Sequence, residues 1–212
     1  MSPVTRSFVG MIVLASLAIG SDRLIAQRGR QPSPDGVAAT EVRGRYVGDP
    51  AEPTYEGGKW IEVTYGRPIK RGRDLWGKGG DYGRMLNGGA PVWRAGANVS
   101  TRLRTEVPLV INGKTLAPGE YSVFIDLKPN NWTFIVTTWK ASQAFPSRDK
   151  DALYGAFDYT PAKDVLRAPM KLETLQHSVD QLTWTFLDMS NTGGVLAIEW
   201  DTVRASVPFR IG

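Results

Sequence analysis

From Trp60 onward the chain alternates apolar and polar residues with period two, and turn residues cut that alternation at short intervals. Few folds accommodate such a pattern. Ile61, Val63 and Tyr65 share one face of an extended segment, with Glu62 and Thr64 on the other, the signature of a half-buried strand. The alternation returns at Ser100 to Thr105, Leu109 to Ile111, Glu120 to Leu127 and Trp132 to Trp139. Between these runs, Asn112-Gly113 predicts a type I′ hairpin, Pro118-Gly119 suits a type II turn, and Pro129-Asn130-Asn131 turns the chain. Together they read as a β-meander. Four more strands are predicted at Asp164 to Thr174, His177 to Leu187, Val195 to Asp201 and Val203 to Ile211, with Asn191 to Gly194 as the hairpin turn between the middle two. Pro208 puts the last strand on an edge or at a bulge, because proline cannot donate to a ladder. Ala141 to Tyr159 reads as irregular with a short helical turn. Eight or more short strands without a sustained helical period predict an all-β antiparallel sandwich, jelly-roll-like or meander.

The organisation along the chain follows from composition. At 212 residues, with 42% hydrophobic and 22% charged residues, the chain suits one globular domain able to bury a core unaided. Residues 1–26 read as a secretion signal: Arg6 precedes an apolar run, Phe8 to Gly20, shorter than the roughly 20 residues of a spanning helix. Residues 27–40 read as a flexible linker, with its Arg, Pro, Gly and Ser concentrated in Gln27 to Gly36. Residues 41–212 are then the sandwich domain, with a first strand at Val42 to Val47. There is no cysteine, which excludes a disulfide framework, a zinc thiolate site and a lipidated-cysteine anchor. A periplasmic or secreted protein without stable membrane insertion is the expectation. The net charge of +5 favours acidic partners as a weak field effect, and an exported chain does not point to nucleic acid.

Two segments carry the residues most suggestive of a site. Gly66 to Gly89 holds eight glycines and no alternation, so it reads as a long loop layer, of the kind that is usually functional or mobile. It carries Arg67, Lys70, Arg71, Arg73, Lys78 and Arg84, and a guanidinium offers a planar fork to phosphate, sulfate or carboxylate. The same arginines would equally serve to tie loops down by donating to backbone carbonyls. The second segment, Pro91 to Asn98, sets Trp93, Arg94 and Asn98 among small turn-forming residues. Trp76 and Trp93 fit either stacking on a sugar or cation, or a plug closing one end of the sandwich. Asn98 fits either a ligand contact or a turn former.

The motifs run in one order. Tyr65-Gly66-Arg67-Pro68, Arg71-Gly72-Arg73, Trp76-Gly77, Tyr82-Gly83, Val92-Trp93-Arg94-Ala95-Gly96-Ala97-Asn98, Leu116-Ala117-Pro118-Gly119-Glu120-Tyr121 and Lys163-Asp164-Val165-Leu166-Arg167 together resemble the bacterial domain-of-unknown-function family 2911, a group of predicted exported proteins. The resemblance covers roughly Ser33 to the C-terminus. It implies export but no assigned activity. Val99 stands where the resemblance would place an acidic residue after Gly-Ala-Asn.

Catalytic readings are weaker. His177 is the only histidine and has no nucleophile elbow around it; it reads as a surface turn residue. Asp126, Asn130 and Asn131 lack EF-hand spacing. No cofactor or metal is expected. Glu62, Asp74, Asp81 and Asp158 are the carboxylates from which a hydrolytic pair would be drawn. The leading expectation is a non-catalytic binding module for an anionic or carbohydrate ligand, with Arg67, Arg71, Arg73, Tyr82, Trp93, Arg94 and Asn98 as the site. The alternatives are an envelope-polymer hydrolase using paired carboxylates and a structural envelope or interaction protein.

Overall fold

The computed structural model describes residues 31–212. The expected signal segment and the start of the expected linker lie outside these residues. Six strands, β1 (Asp35–Val42), β4 (Lys59–Gly66), β5 (Thr101–Thr105), β8 (Gly119–Asp126), β9 (Thr133–Thr137) and β12 (Asp164–Pro169), form one antiparallel sheet in the order β1-β4-β5-β8-β9-β12. A second antiparallel sheet has the order β13-β14-β6-β7, from β13 (Lys171–Ser190), β14 (Gly193–Ile211), β6 (Leu109–Ile111) and β7 (Lys114–Leu116). The inward faces meet in one apolar core: Ile61, Val63, Val123, Ile125, Phe134 and Val136 from the first sheet, and Leu182, Trp184, Ile198 and Phe209 from the second. The chain is thus the all-β antiparallel sandwich that its alternation predicts.

Several boundaries differ for identifiable reasons. The linker expected to reach residue 40 is strand from Asp35, because Val37 to Val42 pair along β4 from Thr64 to Lys59; the arginine-rich stretch read as a first strand splits at Arg43, whose φ is 64°. The predicted meander is interrupted, since β6 and β7 leave for the second sheet and β5 pairs with β8. Pro108, between β5 and β6, cannot extend the β5 ladder. The four predicted C-terminal strands are three. Breaks near Leu175 to Ser178 and at Asp201 (φ 52°) are bulges inside two long strands, which bend without ending. Pro208 does not place β14 on an edge. The residue lies just past the last pairing to β13, at Ser206, and just before the first pairing to β6, at Phe209, so its missing N–H removes no ladder bond. Asn112-Gly113 forms the expected turn, both residues at positive φ (48° and 75°) and Ile111 facing Lys114.

The segment read as irregular is a cover. It carries β10 (Lys140–Ala141) and β11 (Ala152–Leu153), and Leu153, Ala156 and Tyr159 pack with Ala90 and Val92 onto Phe124 and Ile135 on the outer face of the first sheet. Strands β8 and β9 are therefore buried on both faces, a second small core behind the main one. At the other end of the sandwich, β2 (Arg45–Val47) and β3 (Thr54–Glu56) form a short antiparallel ribbon between β1 and β4.

Candidate functional site

Residues 67–100 connect β4 to β5 at the end of the sandwich where β8 also finishes and β9 begins. The two segments singled out in the sequence meet here through bare backbone. Ala97 N donates to Gly66 O at 3.2 Å, and a Cβ at Gly66 would come within 2.2 Å of Ala97 O, so only glycine permits this approach. Ala95 is fully buried in the left-handed region (φ 53°). Its carbonyl accepts from Trp184 Nε1 at 3.0 Å and Thr101 Oγ1 at 3.1 Å. Tyr65 Oη accepts from Trp184 N at 3.0 Å, which ties both segments to the second sheet.

The tryptophans close this end. Trp93 is 1% exposed and stacks on Trp200, ring centroids 6.2 Å apart at 12°; Trp76 lies edge-on to both and 4.9 Å from Trp132. Trp132 Nε1 donates to Tyr82 Oη at 2.9 Å, and Trp200 Nε1 to Asp180 O at 3.1 Å. Trp93 is thus a core residue with no face for a ligand, and Tyr82, half-buried, directs its hydroxyl inward. Of the two readings open for the tryptophans, the plug is the one found.

The arginines divide. Arg67 donates to Leu182 O at 3.4 Å and Thr183 Oγ1 at 3.5 Å; Arg73 donates to Lys70 O at 2.9 Å and Ile69 O at 2.6 Å. Both guanidinium groups hold the loop to β13 or to itself, and Lys70 ties it to β14 by pairing with Asp201. Arg71 is exposed at φ 51°, with no hydrogen bond from its side chain among the described residues. Arg94 is half-buried, as Arg67 is, and like Arg67, Arg71 and Arg73 it pairs with no carboxylate among the described residues. It donates from one nitrogen to Asn98 O at 2.7 Å and, unlike them, lies over an aromatic ring, 5.4 Å from the centroid of Phe157. Burial pushes its pKa down from the ordinary arginine value. Asn98 takes the turn role, with φ 62° and its Nδ2 donating to Ser33 O at 3.3 Å.

Gly155 (φ 63°) makes room for Arg94, since a Cβ there would meet Nη1 at 2.6 Å. Sequence reasoning missed this half of the site, which the cover segment supplies. Phe145 packs on Tyr154 and Phe157, centroids 5.7 and 5.3 Å away, and is 65% exposed, an exposed aromatic group beside a desolvated cation. The adjoining depressions, one at Val99, Ser100 and Gln143 and one at Phe145, Tyr154 and Phe157, hold about 50 and 20 Å³, too little to enclose an organic ligand.

The hydrolytic candidates are dispersed into other duties. Glu62 pairs with Arg104 at 3.5 Å, Asp81 with Arg84 at 3.0 Å, and Asp74 Oδ1 accepts from the amides of Trp76 and Gly77. Asp158 is exposed in the cover. His177 is exposed within β13. Among the described residues, no group of three or more His, Asp or Glu is placed to hold a metal.

Fold and site define a two-sheet β protein with a tryptophan-closed end and one half-buried arginine over the half-buried ring of Phe157, against which the exposed Phe145 packs. The family model described as "Protein of unknown function (DUF2911)" matches residues 50–209, well over half of the chain, and the chain belongs to that family. No curated protein and no solved structure matches it.

Proposed function

We infer that this is an exported, non-catalytic binding module for an anionic ligand, with Arg94 as the contact that fixes the anion and Phe145, Tyr154 and Phe157 as the apolar wall beside it. The observation that carries this reading is the state of Arg94. A half-buried guanidinium with no carboxylate partner is unfavourable in the free protein, and an incoming carboxylate, sulfate or phosphate would restore paired hydrogen bonds to its remaining N–H groups. Because the neighbouring depressions are small, the ligand presents one anionic group at the surface, as an acidic sugar chain does. Arg67, Arg73, Tyr82, Trp93 and Asn98 support the site from behind and do not touch the ligand.

The test is a thermal-shift titration of the chain with inorganic phosphate, sulfate and an oligogalacturonate at low and high salt. A bound ligand stabilises by RT ln(1 + [L]/Kd), about 2.7 kcal/mol at 100 Kd. The reading predicts a saturable shift for at least one of these, lost in Arg94→Met while the unliganded midpoint is kept. Shifts that are absent, or that persist in Arg94→Met, contradict it.

A further inference from the structure

At the opposite end from Arg94, the ribbon of β2 and β3 presents a second and different surface. Tyr46 and Tyr55 face each other across the ribbon, ring centroids 5.0 Å apart, and are 72% and 48% exposed. Trp60, at the start of β4, is 44% exposed and the most exposed of the seven tryptophans. Each is bulky, aromatic and turned to solvent, against the usual burial of such side chains.

The Tyr55 ring is held in place. Tyr55 Oη donates to Glu41 Oε2 at 2.6 Å, Glu41 also accepts from Gly58 N, and the ring lies so close over Gly44 that a Cβ there would meet Tyr55 Oη at 2.0 Å. Glu41 stands directly across the β1–β4 ladder from Trp60, so Tyr55 and Trp60 flank one carboxylate. The backbone amide of Trp60 donates to Glu106 Oε2 at 3.0 Å, which fixes the start of β4. Ordering Tyr55 on binding requires little further entropy.

The charge around the rings selects the ligand. Arg45 is matched by Glu56 at 2.9 Å, and Glu106 by Arg104 at 3.4 Å. Arg43, which donates to Gly212 O, and the exposed Lys59 have no carboxylate partner among the described residues, and Glu41, between the rings, pairs with no cation among them. Its hydrogen bonds to Tyr55 and Gly58 hold its carboxyl below the usual carboxylate range, so it stays an acceptor. A carboxylate has about four lone-pair sites, leaving Glu41 able to accept from hydroxyl groups. Flat rings with carboxylate acceptors between them complement a ligand with apolar C–H faces and many O–H donors and no negative charge.

We propose that Tyr46, Tyr55 and Trp60, with Glu41 between them, form a stacking platform for a neutral sugar chain, separate from the Arg94 site. Stacked sugar rings lie on the indole and phenol faces, and their hydroxyls donate to Glu41. Three exposed rings are a small area beside the roughly 1,200–2,000 Å² that a stable protein interface buries, and an anionic group lying between the rings would meet the Glu41 carboxylate.

The experiment uses the full chain with two probes, hexaoses of β-1,4-linked glucose and of β-1,4-linked N-acetylglucosamine, followed by calorimetry and tryptophan fluorescence. Saturable binding of at least one probe is expected, weakened about tenfold or more in Trp60→Ala and again in Tyr46→Ala, whose side chain is too exposed for its loss to unfold the protein. Arg94→Met should bind the sugar as the parent does. Failure of the parent chain to bind either hexaose would overturn the platform, as would parental affinity in both Trp60→Ala and Tyr46→Ala. Loss of sugar binding in Arg94→Met would also overturn it, by moving the sugar to the other end.

Discussion

Residues 67–73 and residues 91–98 look alike in the sequence, each a basic, glycine-punctuated loop at a strand end, yet their arginines do opposite things. In the first, Arg67 and Arg73 direct their guanidinium groups at backbone carbonyls of β13 and of their own loop, and Lys70 closes on Asp201. In the second, Arg94 is drawn under a glycine and over an aromatic ring, with one carbonyl bond and no carboxylate partner among the described residues. The charge count is higher in the first loop, and the cation that burial disfavours is in the second. A run of basic residues therefore says little about binding until the acceptors that surround each one are known.

The comparison is broken most severely at the joint the two loops share. Gly66→Ala places a Cβ against the Ala97 carbonyl, backbone on backbone, and is expected to cost about 3 kcal/mol or more in a urea melt while abolishing any Arg94-dependent binding. Tyr65→Phe keeps the ring and removes the acceptor of the buried Trp184 amide. A loss of about 1–3 kcal/mol is expected, read by the same melt.

The brace of the first loop also has a pH signature. Partial burial raises the Asp201 pKa, but Lys70 and Ser178 outweigh it and hold the group below the usual aspartate range. A depressed folded pKa gives stability that is complete above the ordinary value, about 4, and that drains away as pH falls through the folded one. Melting points measured from pH 6 down to pH 2.5 should therefore fall more shallowly in Asp201→Asn than in the parent, and a parallel fall would show that the pair contributes nothing. Smallest of all, Arg71→Ala should change stability by less than about 0.5 kcal/mol, because its side chain makes no bond; a larger loss in the melt would mean that Arg71 braces too.

Much of the fold was legible because it rests on local pattern. The alternation at Ile61, Val63 and Tyr65 and the Asn112-Gly113 turn are short-range signals, and both are found as read. The cover on the outer face was not foreseen, although two apolar triplets, Val123-Phe124-Ile125 and Phe134-Ile135-Val136, carry its mark: a strand buried on one face alternates, and these do not. The site was legible only in part. Trp93 and Arg94 were found as adjacent residues, but the partners that bury the one and half-bury the other, Trp200 and Gly155 with Phe157, lie about 60 to 110 residues away, beyond any sequence period. The aromatic trio at the other end escaped notice because Tyr46 and Trp60 read like strand residues and Tyr55 falls in the stretch between them that read as loop, and only their exposure separates them from the core.

The most direct test of the division between bracing and available arginines requires no ligand. Urea denaturation of Arg67→Met and Arg94→Met, each keeping the length of an apolar stem while removing the charge, compares the two loops side by side. The account predicts that Arg67→Met loses about 1–2 kcal/mol, since it abandons a β13 carbonyl and a hydroxyl, and that Arg94→Met is as stable as the parent or more so, because the cost of a half-buried cation with no carboxylate partner among the described residues outweighs its one carbonyl bond and its place over Phe157. A loss in Arg94→Met equal to or greater than that in Arg67→Met would contradict it and make Arg94 one more brace.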